Sequence, residues 1–203
     1  MDHLPERSLC HWIGIPTPSY TISHWAKDFE AISFAKVSLG VQILYTPGHC
    51  PDELAWYDAE ERHLYVGDTF YERVADNGSY TTAILFPAEG NVIDYMRTLD
   101  KLLQFIIARN AEPGKPLVKL GCGHITSSVD GEEILLAVRK YFWDLIGGKV
   151  PVKSSGAKRG EIYDLWQEEG EPRFSVDGPR RLVIDARRHY KMGPSADASY
   201  VIA

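Results

Sequence analysis

The sequence has no apolar run long enough to cross a membrane, and it has few cysteines. Charged side chains are scattered through residues 1–12, where a secretory signal needs an apolar stretch. The longest apolar runs, such as Phe105–Ala108 and Ile134–Val138, are far shorter than the roughly 20 residues of a transmembrane helix. The cysteines are too few, and odd in number, to predict a disulfide framework: Cys10, Cys50 and Cys122. These absences predict a protein of a reducing compartment, the cytoplasm.

The sequence also has no run of lysine or arginine. It carries 22 basic and 28 acidic side chains, for a net charge of −6. A nucleic-acid groove is therefore not evident, and a small molecule is the expected partner rather than a nucleic acid or a membrane. The oligomeric state stays open. Hydrophobic residues make up 44% of the 203 positions, as in an ordinary globular protein.

The first two thirds of the chain alternate between strand and helix patterns. Strands are predicted where apolar residues alternate, at 37–45, 54–57 and 63–66, and a short one at 117–120. Helices are predicted after Asn91 and after Asp130, because each can cap a segment with apolar residues at helical spacing. This order favours a mixed sheet with helices packed outside it, an α+β fold.

The chain is expected to divide near residue 148. Residues 1–148 would form the main domain, and residues 149–203 a partly irregular C-terminal extension. Within that extension, residues 150–162 are rich in Lys, Ser and Gly and predict a flexible connection. A short helix is predicted at 161–167 and a strand at 182–184.

Three predicted strands end in segments that carry a possible metal ligand. They are Thr46-Pro47-Gly48-His49, Gly67-Asp68 and Gly121-Cys122-Gly123-His124. Two imidazoles and one carboxylate form a donor set suited to zinc or a similar divalent metal. A glycine before each ligand permits a tight turn that could direct the side chains to one place.

These segments, in this order, resemble the metallo-β-lactamase superfamily. The Gly67-Asp68 turn ends nineteen residues after His49, and the GCGH segment follows it. The resemblance extends from about Val37 to the helix after Asp130. It implies a four-layer αββα sandwich, one or two zinc ions, and water activated for hydrolysis of an ester, thioester, lactone or lactam. By the same resemblance His49 binds the first metal, Asp68 bridges the two metals, and His124 binds the second.

The superfamily's H-x-H-x-D-H motif, which supplies further ligands upstream of TPGH, is absent from the sequence. The resemblance therefore implies a partial sandwich that begins downstream of this motif and lacks part of its N-terminal half. An alternative places Asp2-His3 at the last two positions of the motif. With three ligands where the family has more, weak metal binding and weak or no activity are expected.

Several alternatives stay open at this stage. Cys50 and Cys122 are either soft zinc ligands, nucleophiles or small buried residues, and Tyr71 either lines a cleft or packs. The chain is a zinc-dependent hydrolase, an inactive scaffold of the same fold that binds a ligand, or an interaction domain whose His and Asp residues are incidental. In the last case His49, Asp68 and His124 would be scattered in the structure.

Overall fold

A computed structural model describes residues 10, 13–19, 21–22, 24–73 and 82–192. The alternative that places Asp2-His3 in the motif lies outside these residues. Residues 72–82 are polar and contain glycine, which predicts a loop, and most of them also lie outside. Within the described part of the chain, ten strands form two sheets and three helices pack against them. None of these helices is long and apolar enough to span a membrane.

The first sheet has six strands in the order β1-β2-β3-β4-β6-β7. Its strands are β1 (Ala31–Phe34), β2 (Val37–Tyr45), β3 (Leu54–Asp58), β4 (His63–Tyr65), β6 (Lys119–Gly121) and β7 (Val129–Asp130). Neighbouring strands are antiparallel except β4 and β6, which run parallel and place Tyr65 opposite Gly121. The loops that follow β4 and β6 therefore leave the sheet side by side.

The second sheet has four strands in the order β5-β10-β9-β8. They are β5 (Ile84–Leu85), β8 (Val152–Lys158), β9 (Glu161–Gln167) and β10 (Ser175–Pro179). The short strand β5 pairs in parallel with β10, with Ile84 opposite Val176 and Leu85 opposite Asp177. Residues on both sides of position 148 thus share one sheet.

Three helices lie against the sheets: α1 (Val92–Asn110), α2 (Gly131–Ile146) and α3 (Arg180–His189). The Asn91 side chain accepts hydrogen bonds from the backbone N–H groups of Ile93 and Asp94, so α1 begins where the sequence predicts. Asp130 caps α2 through the N–H of Glu133 in the same way. The α1 and α2 helices pack on each other and α3 packs on both, around a core that includes Leu99, Ile106 and Phe142.

The predicted α+β fold is confirmed, and the predicted strands at 37–45, 54–57 and 63–66 correspond to β2, β3 and β4. Three predictions in the C-terminal part are wrong. Residues 150–162 contain strand β8, residues 161–167 form strand β9 rather than a helix, and residues 182–184 lie inside helix α3. Pairing with β9 explains the first, because it orders β8 as a polar edge strand without apolar alternation. Pairing with both β8 and β10 explains the second, because it makes β9 an inner strand of the sheet.

Candidate metal centre

The TPGH turn follows β2 and is pressed against helix α1. Gly48 has φ +140°, and a Cβ at this position would overlap the backbone of Tyr95 in α1. The Asn91 N–H donates to the Gly48 carbonyl at 2.7 Å, and the Thr98 hydroxyl donates to the Pro47 carbonyl at 2.6 Å. Only glycine allows this close approach, so the turn holds His49 in a fixed position at the start of the helix.

His49 is mostly buried, and its ring is oriented by one hydrogen bond. Its Nε2 lies 2.8 Å from the Leu85 carbonyl oxygen, to which it must donate. The other ring nitrogen, Nδ1, is then an acceptor, and it has no hydrogen-bond partner among the described residues. Burial lowers the pKa of His49, against the opposing effects of the Leu85 bond and the charge of Asp68. The ring is therefore neutral near pH 7, the form that binds metals.

Asp68 and His124 lie on neighbouring loops and contact each other. The Gly123 N–H donates to the Gly67 carbonyl at 2.7 Å and so fastens the GCGH loop to the Gly67-Asp68 turn. His124 Nε2 is then 3.2 Å from Asp68 Oδ1, and both side chains are half exposed. A Cβ at Gly123 would lie only 2.5 Å from Asp68 Oδ1, so this glycine makes room for the carboxylate.

His49 lies near this pair without joining it. Asp68 is close enough to raise the pKa of His49, while its strongest contact is with His124. Among the described residues, the group of three donor side chains whose ligand atoms all lie within 4.8 Å of one another is instead His49, Cys50 and Glu53. The three ligands predicted from the sequence thus sit on adjacent loops, two in contact and one set back. Their role as ligands stays a prediction.

Glu53 is the site residue that sequence reasoning missed. Its side chain is 7% exposed, and Oε1 lies 3.6 Å from His49 Nδ1. Burial, together with the negative charge of Asp68, raises the pKa of Glu53 to about 8. Asp52 and Glu53 are adjacent acidic residues, and the sequence alone does not show that Glu53 is buried while Asp52 is exposed.

The structure also gives the surroundings of Tyr71, the two cysteines and His24. Tyr71 is buried, its ring packs edge-on against His124 at 5.4 Å, and its hydroxyl accepts a long hydrogen bond from the Leu85 N–H at 3.4 Å. Burial raises the pKa of Cys50 to about 12 and that of Cys122 still higher, which disfavours either thiol as a nucleophile. His24 is paired with Glu30, away from these loops.

Two further expectations from the sequence are wrong. The hairpin position of His63 predicts an exposed side chain, but it is half-buried and stacks on Tyr65 with ring centroids 4.4 Å apart. The arginines at 180–181 and 187–188 predict a solvated face, which is wrong for Arg187 alone: Arg181 and Arg188 are exposed, whereas Arg187 is buried and donates to the carbonyls of Ile146 and Leu145. Arginine can be buried in this way when its donors meet carbonyl oxygens.

Known proteins resemble part of this chain. No family model matches it. Over 159 residues it is 24% identical to the "Putative transcription factor avaE" of Aspergillus versicolor, an alignment that covers 78% of this chain and 45% of that protein.

Solved structures that resemble part of the chain include metallo-β-lactamase superfamily proteins. A metallo-beta-lactamase family protein from Thermus thermophilus is 20% identical with a TM-score of 0.46, covering 70% of this chain and 42% of that one. A beta-lactamase domain protein from Burkholderia ambifaria is 13% identical with a TM-score of 0.46, covering 73% and 40%. The chain therefore spans less than half the length of each of these three proteins.

Proposed function

We propose that the chain carries part of the metal centre of a zinc-dependent hydrolase that acts on a small ester, thioester, lactone or lactam. The observation that supports this most is the meeting of the three motif loops. The Gly67-Asp68 turn and the GCGH loop are hydrogen-bonded to each other, and His49 is close enough for the charge of Asp68 to act on it.

The donor atoms present fit a divalent metal. His49 has a buried ring nitrogen without a partner among the described residues, and Asp68 and His124 offer a carboxylate and a second imidazole at 3.2 Å from each other. Nitrogen and oxygen donors of this kind suit zinc. In the proposal His49 and Asp68 would hold the first metal, and Asp68 and His124 the second, as the resemblance implies.

A bound zinc ion would lower the pKa of a water molecule and polarise the scissile carbonyl. The chain's own groups have simpler tasks. The Leu85 carbonyl fixes the orientation of the His49 ring, and Gly123 leaves room for the Asp68 carboxylate. Such positioning preserves the metal-binding geometry, which loose side chains would not.

A cavity of about 300 Å³ beside His49 is the proposed substrate site. Lys158, Tyr163 and Asp177 from the second sheet, and Arg159 from the turn between β8 and β9, also line it. The size is that of a small-molecule pocket, and two cations against one carboxylate favour a substrate with a negative charge.

The test is hydrolysis by the zinc-loaded chain of one ester, one thioester, one lactone and one lactam. Zinc-dependent turnover is expected with at least one of the four. It should be lost in His49→Ala, Asp68→Asn and His124→Ala and kept in His24→Ala, a control histidine that is exposed and paired with Glu30. A chain that retains zinc but hydrolyses none of the four substrates would refute the hydrolase.

A non-catalytic binding scaffold is the second candidate. The contact between Asp68 and His124 supports it, because the two side chains satisfy each other without a metal. The description of the Aspergillus versicolor relative as a transcription factor also points away from catalysis. If the chain is a binding scaffold, Asp68→Asn should change ligand affinity by the same factor with and without a metal chelator. If the site is a metal centre, the chelator by itself should abolish ligand binding to the wild-type chain.

A further inference from the structure

Three side chains of one short segment bring different donor atoms together just behind the TPGH turn. His49, Cys50 and Glu53 each place a ligand atom within 4.8 Å of those of the other two. The closest measured approach is between His49 Nδ1 and Glu53 Oε1, at 3.6 Å. The segment is fixed at both ends, because the Thr46 N–H donates to the Glu53 carbonyl at 3.0 Å and Gly48 is pressed against α1.

Two atoms of this group are buried without a hydrogen-bond partner among the described residues: His49 Nδ1 and Glu53 Oε2. Because Nε2 of His49 already donates to Leu85, Nδ1 presents only a lone pair, and a carboxylate oxygen likewise presents only lone pairs. When Glu53 is ionised, the two neighbouring acceptors cannot satisfy each other. Buried polar groups in native proteins are almost always paired, and a cation bound to both lone pairs would pair them.

We propose that His49 Nδ1, Cys50 Sγ and a Glu53 carboxylate oxygen bind one divalent cation of the zinc class. The inference rests on the proposed function to the extent that both use His49. In it, Cys50 and Glu53 supply the first-ion ligands that the missing H-x-H-x-D-H motif does not provide in this sequence. Asp68 and His124 remain the ligands of the other half of the centre.

The chemistry of the three donors selects the cation. Nitrogen, sulfur and oxygen donors together suit zinc, whereas calcium and magnesium take oxygen ligands. Three protein ligands leave the fourth position of a tetrahedral zinc ion for water or substrate. On binding, the Cys50 S–H bond breaks, a zinc–sulfur bond forms and the proton passes to solvent.

The surrounding charge also favours a cation. Asp52 lies close enough to act on both Cys50 and Glu53, and Asp68 lies close enough to act on Glu53. A divalent ion offsets this charge and makes a coordinating thiol release its proton.

The first test uses cobalt in place of zinc, because a thiolate bound to cobalt produces a charge-transfer absorption in the near ultraviolet. The band is expected in the whole chain and should disappear in Cys50→Ala. It should persist in the matched control Cys122→Ala, whose cysteine lies two residues before His124. Glu53→Gln should weaken cobalt binding by more than about tenfold, since even outer-shell partners of a metal ligand contribute that much.

The second test needs no variant, so misfolding cannot obscure it. Zinc should slow the alkylation of Cys50 in the wild-type chain and leave that of Cys10 unchanged, as read by peptide mass spectrometry. Equal alkylation of Cys50 with and without zinc would overturn the proposal.

The two proposals fail in different ways. Cobalt bound without the charge-transfer band, or a band that depends on Cys122, overturns the His49–Cys50–Glu53 site but leaves the proposed function in place. A band that depends on Cys50 and is unaffected by Asp68→Asn and His124→Ala, in a chain that hydrolyses none of the four substrates, supports this site and refutes the hydrolase.

Discussion

Two clusters of buried polar side chains in this protein differ in how completely they are hydrogen-bonded. In the Asp164 network (Ser155, Asp164 and Arg180), the fully buried carboxylate accepts hydrogen bonds at 2.6 Å from Ser155 and at 2.7 and 2.8 Å from Arg180. In the His49 corner (Thr46, His49 and Glu53), each side chain has a buried atom with no hydrogen-bond partner among the described residues.

The two clusters differ in whether the described residues supply every hydrogen-bond partner. The Asp164 network is complete within the protein and explains how a carboxylate tolerates full burial between β9 and α3. The His49 corner is incomplete among the described residues, although backbone hydrogen bonds join Thr46 to Glu53 and Gly48 to Asn91. In our proposal a metal ion completes this group.

Breaking the complete network should have the largest effect. Arg180→Ala leaves the buried Asp164 charge without its partner, and the free energy of unfolding should fall by about 3–5 kcal/mol. Denaturant unfolding measures it, with Arg181→Ala as the matched control. Arg181 pairs with Glu161 at the surface, so its loss should cost no more than about 1 kcal/mol. Equal losses in the two variants would mean that the Asp164 network has no special role.

Adding a methyl group to the turn of the His49 corner should have the next largest effect. Gly48→Ala forces a Cβ into the backbone of Tyr95 at a positive φ and should destabilise the fold by about 3 kcal/mol. Gly40→Ala is the control, because Gly40 also has a positive φ but a Cβ there meets nothing within 4 Å. Its cost should be near 1 kcal/mol, from backbone strain alone. Thermal and denaturant unfolding of both variants give the comparison.

Completing the corner with a metal should stabilise it. Zinc at a hundred times its dissociation constant raises the free energy of unfolding by about 2.7 kcal/mol, because only the folded chain assembles the site. At the same zinc concentration, a Glu53→Gln chain that binds tenfold more weakly should gain only about 1.4 kcal/mol. An identical zinc effect in both chains would exclude Glu53 from the site.

The smallest effect is expected at a surface ion pair on α2. Hydrogen bonds from Lys140 and Lys149 hold the pKa of Asp144 below 3.8. Because the folded pKa is the lower one, Asp144 stabilises the protein above about pH 4, and this contribution disappears as the pH falls through the folded pKa. Both lysines are largely exposed, so Asp144→Asn should cost less than about 1 kcal/mol at pH 7. The same cost at about pH 2 would show that charge is not its origin.

The sequence predicts those helices and strands whose hydrophobic pattern and capping residues lie within the segment itself. The α1 and α2 helices were found because their apolar spacing and capping residues are local. Strand β8 was missed because nearly all its side chains are exposed and polar, so only its pairing with β9 defines it. The α3 helix was mistaken for a strand because three consecutive apolar residues fit either structure.

The residues of the candidate site likewise fall into those that local motifs predict and those that only the folded structure reveals. His49, Asp68 and His124 were predicted from motifs that are continuous in the sequence. Glu53 was not, because its distinction from Asp52 is burial, which depends on the packing of β3 and the Gly67-Asp68 turn. The ion pair of the buried Asp164 with the partly exposed Arg180 joins residues from β9 and α3, so the sequence does not predict it either.

The most direct measurement is the zinc content of the purified chain by elemental analysis after dialysis, beside His49→Ala, His124→Ala and the control His24→Ala. A metal centre predicts about one or two zinc ions per chain, fewer in His49→Ala and His124→Ala, and no change in His24→Ala. No bound zinc in the wild-type chain, or the same content in all four proteins, would contradict it.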